Sequence, residues 1–350
     1  LEIAMSAAIT AIVVSYADVD ATTTALRSLL EQSLAPAELL VVDNDPAGAA
    51  ARELSERAIS ANVRVLHPGA NLGYTRAVNL AARAAGGEWL FLLNPDAVAE
   101  RDCLKRLLAA ADGPDVALVG AQVLLPDGRV NAGDNPVNLA GVSWSGRYGQ
   151  PREHGAARDT AAVSGAALLV RRDAFLAVDG LCPFFFMYVD DTDLAWRLRL
   201  RGMRVRFCPE AVVVHDYEFG KGAHKWFYLE RNRAWALLSN LRARTLALLA
   251  PLLLIAELAV AIRAISEGWL AEKARAWASL IAQTPRLIRW RRAVQAGRIV
   301  SDYRVLERFS AGIETDLIGG GAPRWANRCA ERYRRMLLRA LARVERQPRG

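Results

Sequence analysis

Cysteine is scarce: Cys103, Cys182, Cys208 and Cys329 are the four in 350 residues, far apart and without a C-x-x-C pair. Neither a zinc cluster nor a disulfide framework is indicated, and a reducing cytoplasm suits the chain. Proline is held to 14 residues, and no repeat or long low-complexity tract occurs. With 53% hydrophobic and 23% charged residues, wholesale disorder is excluded. A glycine-rich dinucleotide fingerprint is missing, as is any recognisable DNA-recognition helix. No basic stretch precedes the apolar run Ala8 to Val14, and Asp18 and Asp20 follow it, so this run reads as a strand and not as a signal peptide.

What is present fits roughly two domains by length. The excess of 45 Lys and Arg over 37 Asp and Glu gives a net charge of +8 and points to an anionic partner. Nucleic acid is disfavoured as that partner, because the basic residues gather late in the chain beside apolar helices. A β-branched run at Ile12 to Val14 precedes a helical pattern from Thr22 to Gln32, with Leu26, Leu29 and Leu30 on one face. The alternation recurs as Leu39 to Val42 before Ala50 to Ser60, Val63 to Leu66 before Thr75 to Ala84, and Trp89 to Leu93 before Asp102 to Ala111. Strand–helix units in series predict an α/β fold with a mostly parallel sheet.

In such sheets ligands sit beyond the carboxyl ends of the strands. The residues found there are Ser15-Tyr16, Asp43-Asn44-Asp45, His67 to Asn71 with Gly73, and Asn94-Pro95-Asp96. Downstream, Pro126-Asp127-Gly128 predicts a hairpin after Val116 to Leu125, and the stretch Asn131 to Arg158 reads as a long surface excursion that forms a substrate lip. Val163 to Val170 reads as a strand whose small residues Ser164-Gly165-Ala166 admit a close approach. Phe184 to Tyr188 leads into Asp190-Asp191-Thr192-Asp193, and Leu194 to Arg201 reads as a helix closed by Gly202. Val205 to Phe207 and Val212 to Val214 read as two short strands, the second ending at His215.

A hard divalent cation, held by an oxygen ligand such as Asp96, would neutralise a diphosphate leaving group. Asp43 is suited to accept hydrogen bonds from a base or ribose, Asp191 to take a proton from a hydroxyl, and His215 to complete a metal shell. Residue type alone is equally consistent with turn or helix-capping roles for Asp43 and Asp96, and with a helix-dipole role for Asp191. After Leu241 the composition changes. Leu246 to Ile262 is apolar except for Pro251 and Glu257, which is short for spanning ~30 Å of hydrocarbon and carries a glutamate that would cost roughly 2.5–3.5 kcal/mol at its centre. The expectation is a helix lying in the membrane surface, followed by tryptophans and arginines suited to an anionic leaflet.

Taken in order, Val13-Val14-Ser15-Tyr16, Val41-Val42-Asp43-Asn44, Asn71-Leu72-Gly73, Leu92-Leu93-Asn94-Pro95-Asp96-Ala97, Ser164-Gly165-Ala166, Phe186 through Leu194, and His215 resemble the inverting, nucleotide-sugar-dependent glycosyltransferases of family 2, especially their rhamnosyltransferase-like branch. The likeness covers about Ala8 to Asn240. It implies a GT-A fold over residues 8–240, while composition makes residues 241–350 a helical, Arg-rich, membrane-associated region. It also implies that Asp191 is the catalytic base and that Asp43 contacts the nucleobase, with Ser15, Tyr16, Asn71, Gly73 and Asn94 around the donor nucleotide. Asp96 and His215 would hold Mg2+ or Mn2+, and Asp190, Gly165 and Lys221 would support the acceptor side. The donor implied is a dTDP-, UDP- or GDP-sugar, with rhamnose one candidate sugar. The acceptor implied is a glycolipid or polysaccharide intermediate at the cytoplasmic face of the membrane. The sequence departs from the family at Asn94, where an acid is usual, at Asp190, where Glu is usual, and at Glu218-Phe219-Gly220-Lys221, where a small hydroxyl residue often follows the histidine. The first two departures motivate a rival, a catalytically weak membrane-associated scaffold of the same fold that binds a nucleotide sugar or glycan.

Overall fold

Runs that are apolar at every position, and not only at alternate ones, belong in a sheet covered on both faces. The computed structural model describes residues 8–56, 62–215, 224–312 and 324–346. Its first half runs β1 (Ile9–Ser15), α1 (Val19–Leu30), β2 (Glu38–Asp43), α2 (Ala49–Glu56), β3 (Val63–Leu66), α3 (Tyr74–Ala84), β4 (Trp89–Leu93), β5 (Ala97–Ala99) and α4 (Cys103–Ala110). Next come β6 (Val116–Leu124), β7 (Val130–Ala132), β8 (Asp134–Asn135), β9 (Arg158–Asp159), β10 (Ala162–Val163), β11 (Ala167–Arg171), α5 (Arg172–Ala177), α6 (Asp190–Leu200) and β12 (Arg204–His215). Six helices close the chain: α7 (His224–Asn240), α8 (Ala243–Ser266), α9 (Leu270–Ala282), α10 (Thr284–Ala296), α11 (Asp302–Leu306) and α12 (Arg324–Arg346).

Ten strands form one sheet with the path β3-β2-β1-β4-β11-β6-β12-β5, β7 pairing with β6 and β9 with β12. The β3-β2-β1-β4 half is parallel, β11 runs antiparallel between β4 and β6, and β12 is parallel to β6. Alternate residues along the strands feed two cores. Ile12, Leu40, Leu92 and Val170 face α3 and α6, whereas Val13, Val41, Leu93 and Leu169 face α1 and α4. The first of these cores also takes in Leu249, Val305, Leu306, Phe309, Leu337 and Leu341, so helices beyond Leu241 pack into the sheet-bearing half.

Several local expectations shift. Helix α1 begins before Thr22, because Asp18 accepts a hydrogen bond from the Ala21 N–H and caps an earlier turn. The predicted helix from Ala50 is described as far as Glu56, and residues 57–61 lie outside the described residues. The hairpin at Pro126 to Gly128 joins β6 to β7, with Gly128 at φ 83°. Val205–Phe207 and Val212–Val214 are parts of one strand, β12, which continues through an irregularity between Cys208 and Val212. Val163–Val170 is instead two strands, β10 and β11, separated by the turn at Ser164 to Ala166. The stretch from Asn131 to Arg158 is not a surface excursion throughout. Val137 and Leu139 are buried in the main core, because their apolar side chains gain more from burial than a loop gains from solvation.

Candidate active site

Four strand ends and one helix start meet along one rim of the sheet. Ser15 and Asp43 are opposite each other in the β1–β2 register, and both are fully buried. The Ser15 hydroxyl pairs with Thr22 at 2.8 Å, while Tyr16, next along, is exposed. One Asp43 oxygen accepts from the Asp45 N–H at 3.1 Å and the other from the Ala51 N–H at 2.8 Å, so this carboxylate also ties down the start of α2. Asn44 donates to the Asn71 side chain at 3.1 Å and accepts from the Leu72 N–H at 3.0 Å. Asn71 in turn accepts from the Gly73 N–H at 2.9 Å. Gly73 has φ 74°, and a Cβ there would lie 2.4 Å from the Phe186 ring, so only glycine fits.

At the end of β4, the Asn94 N–H donates to the Ala166 carbonyl at 2.9 Å. The neighbouring Gly165 N–H donates to Asp191 Oδ2 at 2.8 Å. These two bonds stitch the Asn94-Pro95-Asp96 turn to the carboxylate at the start of α6. Asp96 Oδ1 lies 2.9 Å from His215 Nε2, across the β5–β12 pair in which His215 faces Ala97. Behind it, the Asn131 amide donates to the His215 carbonyl at 3.1 Å. Burial opposes charge on the Asp96 carboxyl, but the hydrogen bond and charge from His215 outweigh it and hold this acid below the usual range.

The two acids of α6 behave differently. Burial pushes the Asp191 carboxyl up, partly offset by the Gly165 and Thr192 N–H groups that it accepts from. Burial, reinforced by the charge of Asp191, pushes Asp190 up to about 7. Asp190 Oδ2 has no hydrogen-bond partner among the described residues. Burial and the same two carboxyls also raise the Tyr74 phenol, whose hydroxyl reaches the Gly165 carbonyl at 3.4 Å.

The turn leading into these acids is strained. Phe186, Tyr188 and Val189 have φ of 69°, 66° and 65°, and for a β-branched valine this is a genuine outlier. Its carbonyls are gathered by α7. Buried Asn232 donates to Phe185, Met187 and Tyr188 at 3.2, 2.8 and 2.9 Å, and Arg231 donates to Phe184 and Phe185 at 2.8 Å each. Tyr228 stacks on Phe186 with centroids 5.5 Å apart. Sequence reading put Asn44 on the rim without giving it a role, and missed Tyr74, Arg231 and Asn232. The available signal was polar Arg231-Asn232-Arg233 inside a helix otherwise rich in Trp, Leu and Ala. Lys221 lies outside the described residues.

The sequence profile described as "Glycosyl transferase family 2" matches residues 10–178. The N-acetylglucosaminyl-diphospho-decaprenol L-rhamnosyltransferase of Mycobacterium tuberculosis is 32% identical over 225 residues, covering 56% of this chain and 73% of that protein. The chain belongs to glycosyltransferase family 2. A second relative of this family 2 chain, the O-antigen biosynthesis protein RfbC of Myxococcus xanthus, is 29% identical over 205 residues, or 55% of this chain and 16% of that protein. The crystal structure of GalNAc-T7 with UDP, GalNAc and Mn2+ superposes with a TM-score of 0.55 at 12% identity, over 66% of this chain and 48% of that one. The fold of this family 2 glycosyltransferase is therefore GT-A, built on a mixed α/β sheet.

Proposed function

We propose that residues 8–240 form an inverting glycosyltransferase, moving a sugar from a nucleotide-diphosphate donor to a hydroxyl of a membrane-linked glycolipid or polysaccharide intermediate. The single observation behind this reading is the pair of bonds Asn94 to Ala166 and Gly165 to Asp191, which draws the Asp96 turn and the Asp191 carboxylate to one cleft edge. Asp191 deprotonates the acceptor hydroxyl, which attacks the anomeric carbon opposite the leaving diphosphate, so no covalent sugar–enzyme intermediate forms. Burial raises its affinity for a proton, as suits a general base.

Asp96 and His215, with donor atoms 2.9 Å apart, would hold a Mg2+ or Mn2+ ion, a hard cation suited to a carboxylate oxygen. When bound, such a cation supplies charge neutralisation to the departing diphosphate. GalNAc-T7 was crystallised with UDP and Mn2+. In this reading Tyr16, Asn71 and Asn94 face the donor side, with the buried Ser15, Asp43 and Gly73 behind them. Asp190 and Gly165 frame Asp191 on the acceptor side. The Mycobacterium relative is named as an L-rhamnosyltransferase of N-acetylglucosaminyl-diphospho-decaprenol, which supports a lipid-linked acceptor and rhamnose as the first donor sugar to test.

The Asp191→Asn variant tests the assignment. Sugar transfer is expected to fall at least a hundredfold while a thermal-shift screen of dTDP-, UDP- and GDP-sugars with manganese gives the wild-type response. Wild-type turnover in this variant would remove Asp191 as base. A wild-type chain that binds a donor but releases no nucleoside diphosphate with any acceptor would favour the scaffold reading.

A further inference from the structure

Helix α8 is long and apolar enough to cross a membrane by length and composition alone, yet its attachments run along its whole length. At its start, the Asp302 carboxylate accepts from the Arg242 N–H at 2.9 Å. At its middle, Glu257 is bound by the Arg233 guanidinium of α7 and by Lys273 of α9, the latter at 2.7 Å, and Glu230 of α7 closes the group by accepting from both cations. Just past its end, Trp269 stacks on Trp226 of α7 with centroids 4.6 Å apart. The glutamate that seemed costly in hydrocarbon is therefore neutralised on the protein side of the helix. Carrying α8 across a bilayer would drag Glu230, Arg233 and Lys273 in with it or tear Glu257 from its partners, and either is expensive.

The opposite face has no such partners among the described residues. Leu248, Leu254, Ile255, Leu258, Ile262 and Ile265 are exposed there, with Leu254 63% and Ile262 68% accessible. At 1.5 Å per residue the stripe is roughly 25 Å long, larger than a soluble surface usually leaves open to water. Neighbouring α9 adds exposed Trp277 and Ile281.

A second face lies beside it. Helix α12 is fastened to α8 by the Tyr333 hydroxyl, which donates to the Leu248 carbonyl, while its Leu337 and Leu341 are buried in the core with Leu249 of α8. Its outward side carries Arg328, Arg332, Arg335, Arg339 and Arg343 at spacings of three and four, beside exposed Trp325. Glu331 is the one acid between residues 325 and 343. Such a face matches a plane of phosphates, and an apolar stripe with a tryptophan beside it favours phospholipid over nucleic acid.

We infer that α8 does not span the bilayer but lies in the plane of one leaflet, its apolar stripe immersed, while the arginine face of α12 binds the phosphates of anionic lipids. This deepens the membrane half of the proposed function and rests on it only there, because lipid binding is read without donor or acceptor.

The experiment is flotation of the full-length protein with phosphatidylcholine vesicles containing or lacking phosphatidylglycerol. Binding is expected with phosphatidylglycerol, and alkaline carbonate should release the protein, as for a non-spanning helix. Leu258→Glu with Ile262→Glu should abolish flotation. Arg332→Gln with Arg335→Gln and Arg339→Gln should remove the phosphatidylglycerol dependence and lower affinity at least tenfold, both sets with unchanged circular dichroism. Retention after carbonate would overturn the in-plane placement. So would a stable dimer in solution that Leu258→Glu dissociates while vesicles go unbound. Duplex DNA binding through the arginines without vesicle binding would overturn the lipid assignment. A failed transfer assay with normal flotation would count against the carboxylate cleft alone.

Discussion

Asn232 is the residue whose removal tests most directly how the Asp190–Asp191 pair is held. Its amide nitrogen carries two hydrogens and lies 2.8–3.2 Å from three carbonyls of a turn in which Phe186, Tyr188 and Val189 are all left-handed. Asn232→Leu keeps the volume and deletes the donors. Each orphaned, partly buried carbonyl costs about 1–3 kcal/mol, and two hydrogens sustain two full bonds, so the loss should be about 2–6 kcal/mol if the turn stays in place. The turn has an alternative, because leaving the left-handed region recovers strain of order 1–3 kcal/mol per residue. The expected outcome is thus a partly compensated loss of about 2 kcal/mol in urea unfolding, with a relaxed turn. Since Asp191 sits two residues beyond Val189 at the start of α6, relaxation moves the base. A shift near 1 Å costs on the order of 100-fold in kcat, whereas the KM for donor, set at the other end of the cleft, should stay within a factor of about three. Parallel urea titration and steady-state kinetics check this. A variant that loses the stability but keeps wild-type kcat would refute the idea that α7 positions the base.

Gly165→Ala places a methyl 3.3 Å from Asp191 Cβ and Oδ2, so kcat should fall about tenfold or more with little change in melting temperature; wild-type kinetics would show that Asp191 tolerates displacement. The raised Asp190 and Asp191 carboxyls bind protons more tightly in the folded chain than in the unfolded one, so unfolding free energy should decline as pH climbs from about 4 towards 7, while transfer, which needs an ionised base, should rise with pH. Asp190→Asn should flatten the stability curve above pH 5 and move the rate midpoint downward, and unchanged pH profiles for both would contradict the coupling of the two acids.

The strand ends were legible because parallel strands buried on both faces read as unbroken apolar runs, and the first polar residue after each run marks the rim. That signal located Ser15, Asp43 and Asn94. The roles proposed for Asp96 and Asp191 came from the family resemblance, since residue type alone left turn, capping and helix-dipole roles open. What escaped was everything set by a partner distant in sequence. The join of β12 across Pro209 and Glu210 depends on its parallel neighbour β6, and proline there reads locally as a break. The burial of Val137 and Leu139 depends on a core completed by α7, α8 and α12. Glu257 looked like a defect in an apolar helix because its cations, Arg233 and Lys273, are 24 and 16 residues away.

Consecutive residues of α7 tie the two ends of the molecule together. Arg231 and Asn232 turn towards the strained turn before the base, while Glu230 and Arg233, on the flanking positions, turn towards α8 and α9. A left-handed turn of three non-glycine residues persists only when its surroundings over-determine it, and an isolated helix of this length would fray too readily to do so. The buried ion group supplies the missing constraint: four charges whose separation leaves any one of them uncompensated resist sliding of α7 against its neighbours. The helices that face outward at Leu254 and Ile262 are therefore part of what holds Asp191 in line, and shortening the chain at Leu241 should cost catalysis even with a water-soluble acceptor.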